Sequence, residues 1–513
     1  STRKLGSLSL LANGTKKMRT AIIFNDSGPQ IIRRSLGAYR VSQMMRDAGW
    51  RVEVIEWAMH WSHEEILKYL SKFEKIDMIG FGNLWMEDDF VADTIKFLKQ
   101  HYKDTKFLLG SPKPYQRNFR ADVAIFGYSE NVLLQTLDFM FDNGPAPKGK
   151  YTSTAPNTYF IDANADYPAL DIPKYEVSYL ETDFLLSTEP LSLEFNRGCR
   201  FKCKYCSYAY LGIKEDYSRD EDSIYNEMME NYERWGTTNY IIVDDTFNDR
   251  DSKLERLANV VERLPFEPNF GCYIRVDLLI SRPHQLELLT RARVWSHFYG
   301  IETFHPEAAK AVGKGMHPDK VKKGLLEIRE YFMNKLGLYR GTIGMIAGLP
   351  YEPISHWQDS LDWLEENWDS YFYWALYITK DADTTTHSDF SVDSKRYGYT
   401  DTADPNVIDW AKEKGFIGGD YTLGGDRPKL DKYLMIWDSD WANFKDALDF
   451  SYHYHKNYFQ KAKIAAFELL NWVGNKDILE LTQGQMFQKK LGETENLKMI
   501  NDYKRKKVEY NYE

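Results

Sequence analysis

Short apolar runs alternate with amphipathic stretches over the first third of the chain. The runs are rich in β-branched and aromatic residues and are bounded by Gly, Pro, Asn and Asp, a pattern typical of strands. They lie at 19–24, 51–55, 78–82, 107–110 and 122–126. Between them, apolar residues recur at helical spacing near 35–49, 63–73, 87–101 and 130–141. This alternation predicts a parallel, doubly wound, Rossmann-like α/β domain over 18–145, and such sheets bind ligands beyond the carboxyl ends of their strands.

A second series of buried strands is predicted over 186–385. Its apolar runs lie at 191–195, 240–243, 270–277, 297–303, 341–348 and 371–378. Between the first two runs, one helix face is apolar as far as Trp235, and Gly236 is the predicted C-cap. Polar residues follow several of these runs directly, which is the placement found in barrel enzymes, whose chemistry lies at the carboxyl ends of the strands.

The remaining segments have weaker patterns. Residues 1–17 are polar and basic and predict a flexible start, whereas 146–185 is proline-bearing and predicts an extended linker. Residues 386–513 predict a mainly helical extension that shapes the substrate side of the barrel. Its helices are expected near 440–474 and 476–510. We interpret the basic run at 504–507 as a solvated helix end.

Three of the four cysteines lie within eight positions, as Cys199, Cys203 and Cys206. Spacings of three and two residues, with Gly198 in front, allow one loop to turn three thiolates towards one metal cluster. Three ligands would leave one iron of a four-iron cluster open to a small chelating molecule. A zinc site and a disulfide are the alternatives, but Cys272 lies 66 positions beyond Cys206 and is interpreted as a core residue, so the spacing disfavours both.

The segment from Phe195 to Cys206, with Tyr205 directly before the last cysteine, resembles the signature of the radical S-adenosylmethionine (radical SAM) family. The resemblance runs from about 190 to 360. It implies a partial (β/α)6 barrel of the TIM type and a [4Fe-4S] cluster held by the three cysteines, with SAM chelating the open iron. In that family, SAM is cleaved reductively to methionine and a 5′-deoxyadenosyl radical, which abstracts hydrogen from a substrate.

Further polar residues at predicted strand ends match the same family. The resemblance implies that Asp244 and Asp245 accept hydrogen bonds from the SAM ammonium and that Arg275 holds the SAM carboxylate. It also implies that Glu302 binds a ribose hydroxyl or lines the substrate pocket. Arg275 and Glu302 are thus the candidate catalytic residues, and Tyr205 joins the cofactor-binding set. For the two aspartates, capping of the next helix is an alternative role.

The first domain carries a second resemblance, to the cobalamin-binding domain that precedes many radical SAM domains. The order of elements and the turn that begins at Gly127 carry it. Where that family often has two glycines, this chain has Gly110 and Ser111, and the turn departs from the usual Gly-Glu-Gly-Glu. The resemblance implies that Gly80, Gly110, Ser111 and Gly127 line cobalamin. The alternative is a domain that keeps the fold without the cofactor.

Composition restricts the partners and the compartment. The chain has 66 basic and 76 acidic residues and a net charge of −10, which argues against extended binding to a nucleic-acid backbone. No run of eighteen apolar residues and no signal-peptide core occur, so no membrane contact is expected. Clustered cysteines suit a reducing compartment and hence the cytoplasm. The substrate class stays open, with a small molecule or a modified nucleotide as candidates.

Two hypotheses of different classes follow. The first is a radical SAM enzyme that receives electrons from flavodoxin or ferredoxin and modifies an unactivated C–H position of its substrate. With cobalamin bound the outcome would be methyl transfer, and without cobalamin it would be a rearrangement. The second is a non-catalytic iron–sulfur protein whose first domain binds a partner, and its cluster would show no dependence on SAM.

Overall fold

Two parallel sheets form the body of the molecule. The computed structural model describes residues 18–27, 33–82, 86, 88–111, 120–153, 155–167, 176–186, 189–206, 218–379, 388–414, 434–490 and 493–512. The predicted flexible start at 1–17 lies outside these residues. Helices cover the sheets, and segments from the last part of the chain pack against both of them.

The first domain is built on a seven-stranded sheet. Its strands are β1 (Thr20–Phe24), β2 (Arg51–Ile55), β3 (Met78–Gly82), β4 (Lys106–Ser111), β5 (Val123–Phe126), β6 (Lys150–Thr152) and β7 (Ala155–Asp162). Its helices are α1 (Leu36–Asp47), α2 (His63–Leu70), α3 (Asp88–His101), α4 (Leu133–Phe141) and α5 (Ala163–Asp166). The spatial order is β2-β1-β3-β4-β5-β7-β6, and every pair except β6–β7 is parallel. The predicted Rossmann-like fold is confirmed.

Residues 150–162 differ from the extended linker that the sequence predicts over 146–185. They form the β6–β7 hairpin, and β7 pairs in parallel with β5. The apolar signal is weak because few positions of β7, including Thr158 and Ile161, are buried, and Pro156 falls within the run. Proline is tolerated near the edge of a sheet, where fewer backbone donors are needed.

The second domain is the predicted partial barrel. Its six parallel strands are β8 (Leu191–Leu193), β9 (Asn239–Ile242), β10 (Asn269–Ile274), β11 (Val294–Glu302), β12 (Arg340–Ala347) and β13 (Tyr371–Ala375). Its helices are α6 (Glu221–Trp235), α7 (Asp251–Arg263), α8 (Val276–Ser281), α9 (His284–Arg291), α10 (Pro306–Ala311), α11 (Pro318–Leu336) and α12 (Ile354–Asn367). The strands pair in chain order. Gly236 ends α6 in the left-handed region, with φ +70°, as predicted.

The last part of the chain is mainly helical, as predicted, but its helices are shorter. They are α13 (Asp389–Val392), α14 (Pro405–Glu413), α15 (Phe444–Asn457), α16 (Ala466–Leu469), α17 (Lys476–Leu479), α18 (Gln483–Gln488) and α19 (Glu493–Glu509), with a small β14 (Thr400–Asp401) and β15 (Trp437–Asp438) pair. The helix predicted near 440–474 is observed as α15 and the short α16, with a break after Asn457. The helix predicted near 476–510 is interrupted because Asn475 and Thr482 act as side-chain N-caps and start new helices.

Helix α19 packs on the first domain, against β2 and α2. Of the basic residues at 504–507, Arg505 and Lys506 face solvent as the sequence predicts, but Lys504 and Lys507 do not. Lys507 is fully buried and pairs with Glu53 at 3.1 Å, and Lys504 pairs with Glu65 at 2.7 Å. The prediction failed because these partners lie more than 400 positions away in the sequence.

The hydroxyl of Tyr503 joins α19 to β2, and removing it should measure the strength of this contact. The hydroxyl donates to Val54 O at 3.2 Å and accepts from Glu56 N at 3.0 Å, and both bonds are buried. We expect Tyr503→Phe to lower the free energy of unfolding by about 1–3 kcal/mol, because a buried amide loses its acceptor. The control Tyr510→Phe, at a 39% exposed side chain, should cost less than about 0.5 kcal/mol. Equal urea midpoints for the two variants would contradict the prediction.

Candidate cofactor site

The cysteine loop leaves the carboxyl end of β8. Cys199, Cys203 and Cys206 are thiols that form no disulfide, and they are half-buried. Gly198 has φ +78°, which allows the sharp turn into the loop, and Cys206 N donates to Cys203 O at 3.1 Å. The loop therefore presents three accessible thiols at the carboxyl end of a barrel strand.

Asp244, at the carboxyl end of β9, holds the start of this loop. Its Oδ1 accepts from Phe195 N at 2.8 Å and Asn196 N at 3.1 Å, and its Oδ2 accepts from Lys253 Nζ at 3.2 Å. Burial raises the pKa of Asp244 to about 6, although Lys253 and the two amides act in the opposite direction. The structure thus gives Asp244 a loop-supporting position that differs from the predicted contact with SAM. It does not cap the next helix either, because Arg250 occupies that N-cap.

Asp245 lies beside it in the sequence and has different surroundings. It is half-buried, and its charge adds to burial in raising the pKa of Tyr128. The next residue, Thr246, brings its Oγ1 within 3.5 Å of Cys199 Sγ. The two adjacent aspartates therefore have separate surroundings, and Asp245 lies between the cysteine loop and the first domain.

Arg275, at the end of β10, lies directly against the loop. Its Nε and Nη2 make a forked ion pair with Asp277 at 3.0 and 2.7 Å. Its Nη1 is 3.6 Å from Cys203 Sγ, and its guanidinium lies 4.0 Å above the Phe201 ring. A guanidinium next to a thiol stabilises the thiolate, which is the form that binds iron. Arg275 thus lies near the cysteine loop, and its Nη1 is directed at Cys203.

Glu302 ends β11 and meets Tyr205 of the loop. The Tyr205 hydroxyl donates to Glu302 Oε1 at 2.6 Å, and Lys314 Nζ lies 3.8 Å from the same oxygen. Burial raises the pKa of Glu302, while Lys314 and the Tyr205 bond lower it. Glu302 has φ +72°, and the strand register shifts between Gly300 and Glu302. The bulge places the Glu302 carboxylate at the mouth of the barrel, the end formed by the carboxyl ends of the strands. This backbone conformation is costly for a residue with a Cβ, which is typical of functional positions.

The donor set fits an iron–sulfur cluster held by three thiolates. Cys272 lies in β10, is completely buried, and has a pKa raised by burial, so it is the core residue that the sequence predicts. Within the described residues, no group of three His, Cys, Asp or Glu side chains is arranged to hold a single metal ion. The thiols of the loop, with Arg275 and Thr246 beside them, are the residues that would hold a cluster.

Two of the residues predicted to line cobalamin are explained by packing. Gly80 lies inside β3, where an added Cβ would come within 2.6 Å of Ile23 Cδ1. Gly127 follows β5 with φ +86°, and a Cβ there would come within 2.4 Å of Asn164. The Asn164 side chain also accepts from the amide that follows Gly127, at 3.1 Å. The backbone conformation therefore favours glycine at 127, and at 80 a larger residue would have to displace the end of the Ile23 side chain.

Gly110 and Ser111 end β4 at the carboxyl edge of the first sheet. Among the described residues, a Cβ at Gly110 would meet only Phe81 O, at 3.9 Å, which is an ordinary contact. The segments that follow β1, β3 and β4 lie outside the described residues, at 28–32, 83–85 and 112–119. Contacts among the described residues therefore do not explain the glycine at 110, and its predicted role in lining cobalamin stays a prediction.

A buried ion-pair network joins the two domains next to the cysteine loop. Arg197, from the loop, pairs with Glu194 and with Glu130 of the first domain, and its guanidinium lies 4.6 Å from the Tyr128 ring centre. Arg40 of α1 reaches Glu194 at 2.7 Å. Burial alone would raise the pKa of Glu194, but the two arginines lower it to about 2. The carboxyl edge of the first sheet therefore faces the cysteine loop, and these buried ion pairs lie between them.

Residues 193–364, from β8 to the end of the buried face of α12, match the model of the Radical SAM superfamily. This part of the chain is a radical SAM domain. Two curated relatives match over 153 residues. Hopanoid C-2 methylase from Rhodopseudomonas palustris is 29% identical over 29% of this chain and 28% of that protein. An uncharacterized methyltransferase from Synechocystis is 27% identical over 29% of this chain and 27% of that protein. The matches span less than a third of the length of these relatives.

Solved structures share the arrangement of the radical SAM domain and the domain in front of it. The radical S-adenosylmethionine methyltransferase TsrM from Kitasatospora setae, with tryptophan substrate and the SAM analogue aza-SAM bound, has a TM-score of 0.65 and 12% identity over 95% of this chain and 99% of that chain. The cobalamin-dependent S-adenosylmethionine radical enzyme OxsB, with aqua-cobalamin and S-adenosylmethionine bound, has a TM-score of 0.57 and 12% identity over 96% and 80%. At these identities the likeness establishes the fold.

Sequence reasoning missed three residues that organise the radical SAM site. Lys253 supports Asp244, Lys314 donates to Gly300 O at 2.7 Å beside Glu302, and Arg197 joins the two domains. A lysine or arginine in a loop or on a helix usually points into solvent, so the sequence pattern alone predicts that these three residues are exposed surface residues. The one available signal was the position of Arg197 between Asn196 and the first cysteine.

A separate polar cluster lies at the carboxyl edge of the first sheet. Glu56, directly after β2, is fully buried, and its Oε1 accepts from Asn25. The neighbouring Arg34 is also buried and binds Glu189 at 3.0 Å and the Tyr39 hydroxyl at 2.9 Å. Burial raises the pKa of Glu56 to about 8, against the charge of Arg34 and the bond from Asn25. Glu56 is therefore mostly protonated at neutral pH.

The buried carboxyl group of Glu56 should make the free energy of unfolding fall as the pH rises. Because the folded pKa, about 8, lies above the unfolded value of 4.5, its stabilising contribution is complete below pH 4.5 and is lost as the pH rises through 8. Glu56→Gln keeps the neutral shape and should remove this dependence. Between pH 6 and 8 we expect the free energy of unfolding of the wild type to fall by about 2 kcal/mol relative to the variant, measured in urea. Parallel pH profiles would contradict the prediction.

Proposed function

We propose that the protein is a cobalamin-dependent radical SAM methyltransferase acting on an unactivated C–H position. The observation that carries this proposal is the placement of three accessible cysteines in one loop, at the carboxyl end of a barrel strand, facing the carboxyl edge of a Rossmann-like sheet. When bound, a [4Fe-4S] cluster supplies the electron that cleaves SAM, and cobalamin supplies a carrier for the methyl group.

The residues of this chain hold and orient the reactants. Cys199, Cys203 and Cys206 would bind the cluster, and Arg275 keeps positive charge beside the Cys203 thiolate. The Tyr205–Glu302 pair lies at the mouth of the barrel on the other side of the loop. There it is placed to hold the hydroxyl or amino groups of SAM, because a carboxylate accepts such bonds strongly.

The comparisons favour methyl transfer over rearrangement. Both curated relatives are named as methylating enzymes, and the TsrM and OxsB structures with the same two-domain arrangement contain cobalamin. At Gly110 the described neighbours leave room for a Cβ, so packing among them does not explain this glycine, which supports cobalamin at the equivalent edge of this chain. No observation of the described residues favours rearrangement.

The surroundings of the reaction are also part of the proposal. An electron donor of the flavodoxin or ferredoxin type would reduce the cluster, and the cytoplasm would keep the three thiols reduced. None of the described helices has both the length and the apolar composition needed to cross a membrane. The substrate class stays open, with a small molecule or a modified nucleotide as candidates.

The test uses full-length protein, purified without oxygen and reconstituted with iron and sulfide. It is incubated with SAM and a strong reductant, with and without cobalamin, and 5′-deoxyadenosine and bound corrinoid are measured. We expect bound corrinoid and formation of deoxyadenosine. Deoxyadenosine without any corrinoid binding would replace methyl transfer by rearrangement. A loaded cluster that cleaves no SAM, with candidate substrates present, would establish the non-catalytic iron–sulfur hypothesis.

A further inference from the structure

The inner face of the barrel sheet is apolar and aromatic over most of its height. It extends from the amino ends of the strands, the floor of the barrel, to near their carboxyl ends, the mouth. Side chains alternate across a strand, so every second residue faces inwards. On β10, a Cβ at Gly271 would meet Phe467 and Leu470, and on β12, a Cβ at Gly344 would meet Trp374 and Phe298. Glycine on two strands thus makes room for aromatic rings from the neighbouring strand and from the last part of the chain.

These rings form a continuous wall. The Phe298 ring lies 5.9 Å from Phe467 at an angle of 10°, 5.4 Å from Tyr273 and 6.3 Å from Trp374. Phe372 extends the wall, 5.4 Å from Trp374. Such separations are those of offset-stacked and edge-to-face pairs, so the wall is built and ordered by its own contacts.

The upper part of this wall is partly exposed and is not covered by the described residues. Tyr273 is 40% exposed and Val243 is 37% exposed, although both extend the inward-facing side of central strands. Phe298, Ile346 and Trp374 are half-buried. Large apolar side chains on the inside of a sheet are normally covered by packing, so exposure here indicates a surface meant for a ligand.

The charged groups at the mouth are already paired within the protein. Arg275 is forked to Asp277, Glu302 accepts from Tyr205, and Lys314 donates to Gly300 O. Below them, the inward positions of β9 to β13 as far as the floor are Gly, Ser, Thr and apolar or aromatic residues, with Asn239 and Arg340 at the base. A charged group placed against this wall would lose water and find no counter-ion among the described residues that line it.

We propose that this inner wall binds the substrate through a neutral, flat, apolar ring system. The proposal rests on the proposed function, because it takes the barrel to be the place where substrate meets the 5′-deoxyadenosyl group. Phe298 lies two residues, roughly 7 Å of strand, below Gly300, next to the Tyr205–Glu302 pair. A ring stacked on Phe298, Tyr273 and Trp374 therefore ends close to the mouth, where hydrogen abstraction would take place.

The test compares three probes with the same ring and different charge. Indole, tryptamine and indole-3-acetate are titrated against reconstituted, full-length protein by ligand-observed NMR. We expect indole to bind and the charged probes to bind at least about tenfold more weakly, since the described residues of the wall offer no counter-ion. Val243→Asp places a carboxylate at the exposed edge of the wall and should weaken indole binding by about tenfold or more.

The matched control is Leu134→Asp, an apolar-to-acid change at a 45% exposed position on α4 of the first domain, which should leave indole binding unchanged. Equal binding of the three probes, no binding of indole, or an equal effect of the two variants would overturn the proposal. Formation of 5′-deoxyadenosine by the wild type is measured in the same preparation. Its absence counts against the proposed function, whereas active protein that ignores indole counts against the ring site alone.

Discussion

Replacing Cys203 with alanine is expected to remove most of the bound iron and to lower 5′-deoxyadenosine formation on the order of a thousandfold or more. Cys203 is the middle cysteine of the loop, and its Sγ lies 3.6 Å from Arg275 Nη1. Two remaining thiolates would leave two irons of a cluster without protein ligands, and chelation by SAM cannot replace both. Iron content and the visible absorption of the cluster are measured with the product, so loss of the metal is separated from loss of activity.

The matched control for this change is Cys272→Ala. Cys272 is the same residue type, is completely buried in β10, and is unpaired. Its loss should cost stability through a small cavity while iron content and product formation stay near the wild-type level. Retention of iron in Cys203→Ala, or its loss in Cys272→Ala alone, would mean that the loop is not the cluster site.

Replacing Arg197 with methionine should destabilise the protein by on the order of 3–5 kcal/mol. Arg197 is buried, pairs with Glu194 and Glu130, and stacks on Tyr128, so its removal leaves carboxylates in a dry interface between the domains. Because Glu130 and Tyr128 belong to the first domain, the docking of that domain on the cysteine loop should weaken as well. Urea denaturation measures the first effect, and the rate of limited proteolysis between the domains measures the second.

Arg234→Met is the matched control, since it removes an arginine from an exposed pair. Arg234 is 33% exposed and its partner Glu230 is 39% exposed, and such pairs contribute less than about 1 kcal/mol. Arg197→Lys keeps the charge but loses the forked geometry and should fall between the two. If Arg197→Met costs no more than Arg234→Met, the network does not hold the domains together.

The strands of both sheets are well predicted from sequence because most of them are buried on two faces. Parallel strands covered by helices read as continuous apolar runs, and five strands of the first sheet and all six of the barrel do so. β6 and β7 are not predicted from the sequence because their hairpin lies at an edge of the sheet and is apolar at few positions. The cysteine spacing is equally readable, since three ligands of one loop are close in sequence.

Pairings between distant side chains are what the sequence does not disclose. Asp244 looks like a ligand-binding carboxylate until Lys253 and two loop amides are seen around it. Lys507 looks solvated until Glu53 is found beside it. In each case the partner is chosen by the tertiary fold, and a charged residue in a loop or on a helix has no periodic signal that reports its partner.

The packing of α19 on the first domain sets an order of events during synthesis. Glu53 and Lys507 are 454 positions apart, so at roughly 5–20 residues per second the ribosome needs on the order of half a minute or more to supply the lysine. Until then the aromatic surface around Trp57 and Tyr69, later covered by Tyr503 and Tyr512, faces water. The first domain of the nascent chain therefore exposes this aromatic surface through most of translation. We expect chaperones to bind there.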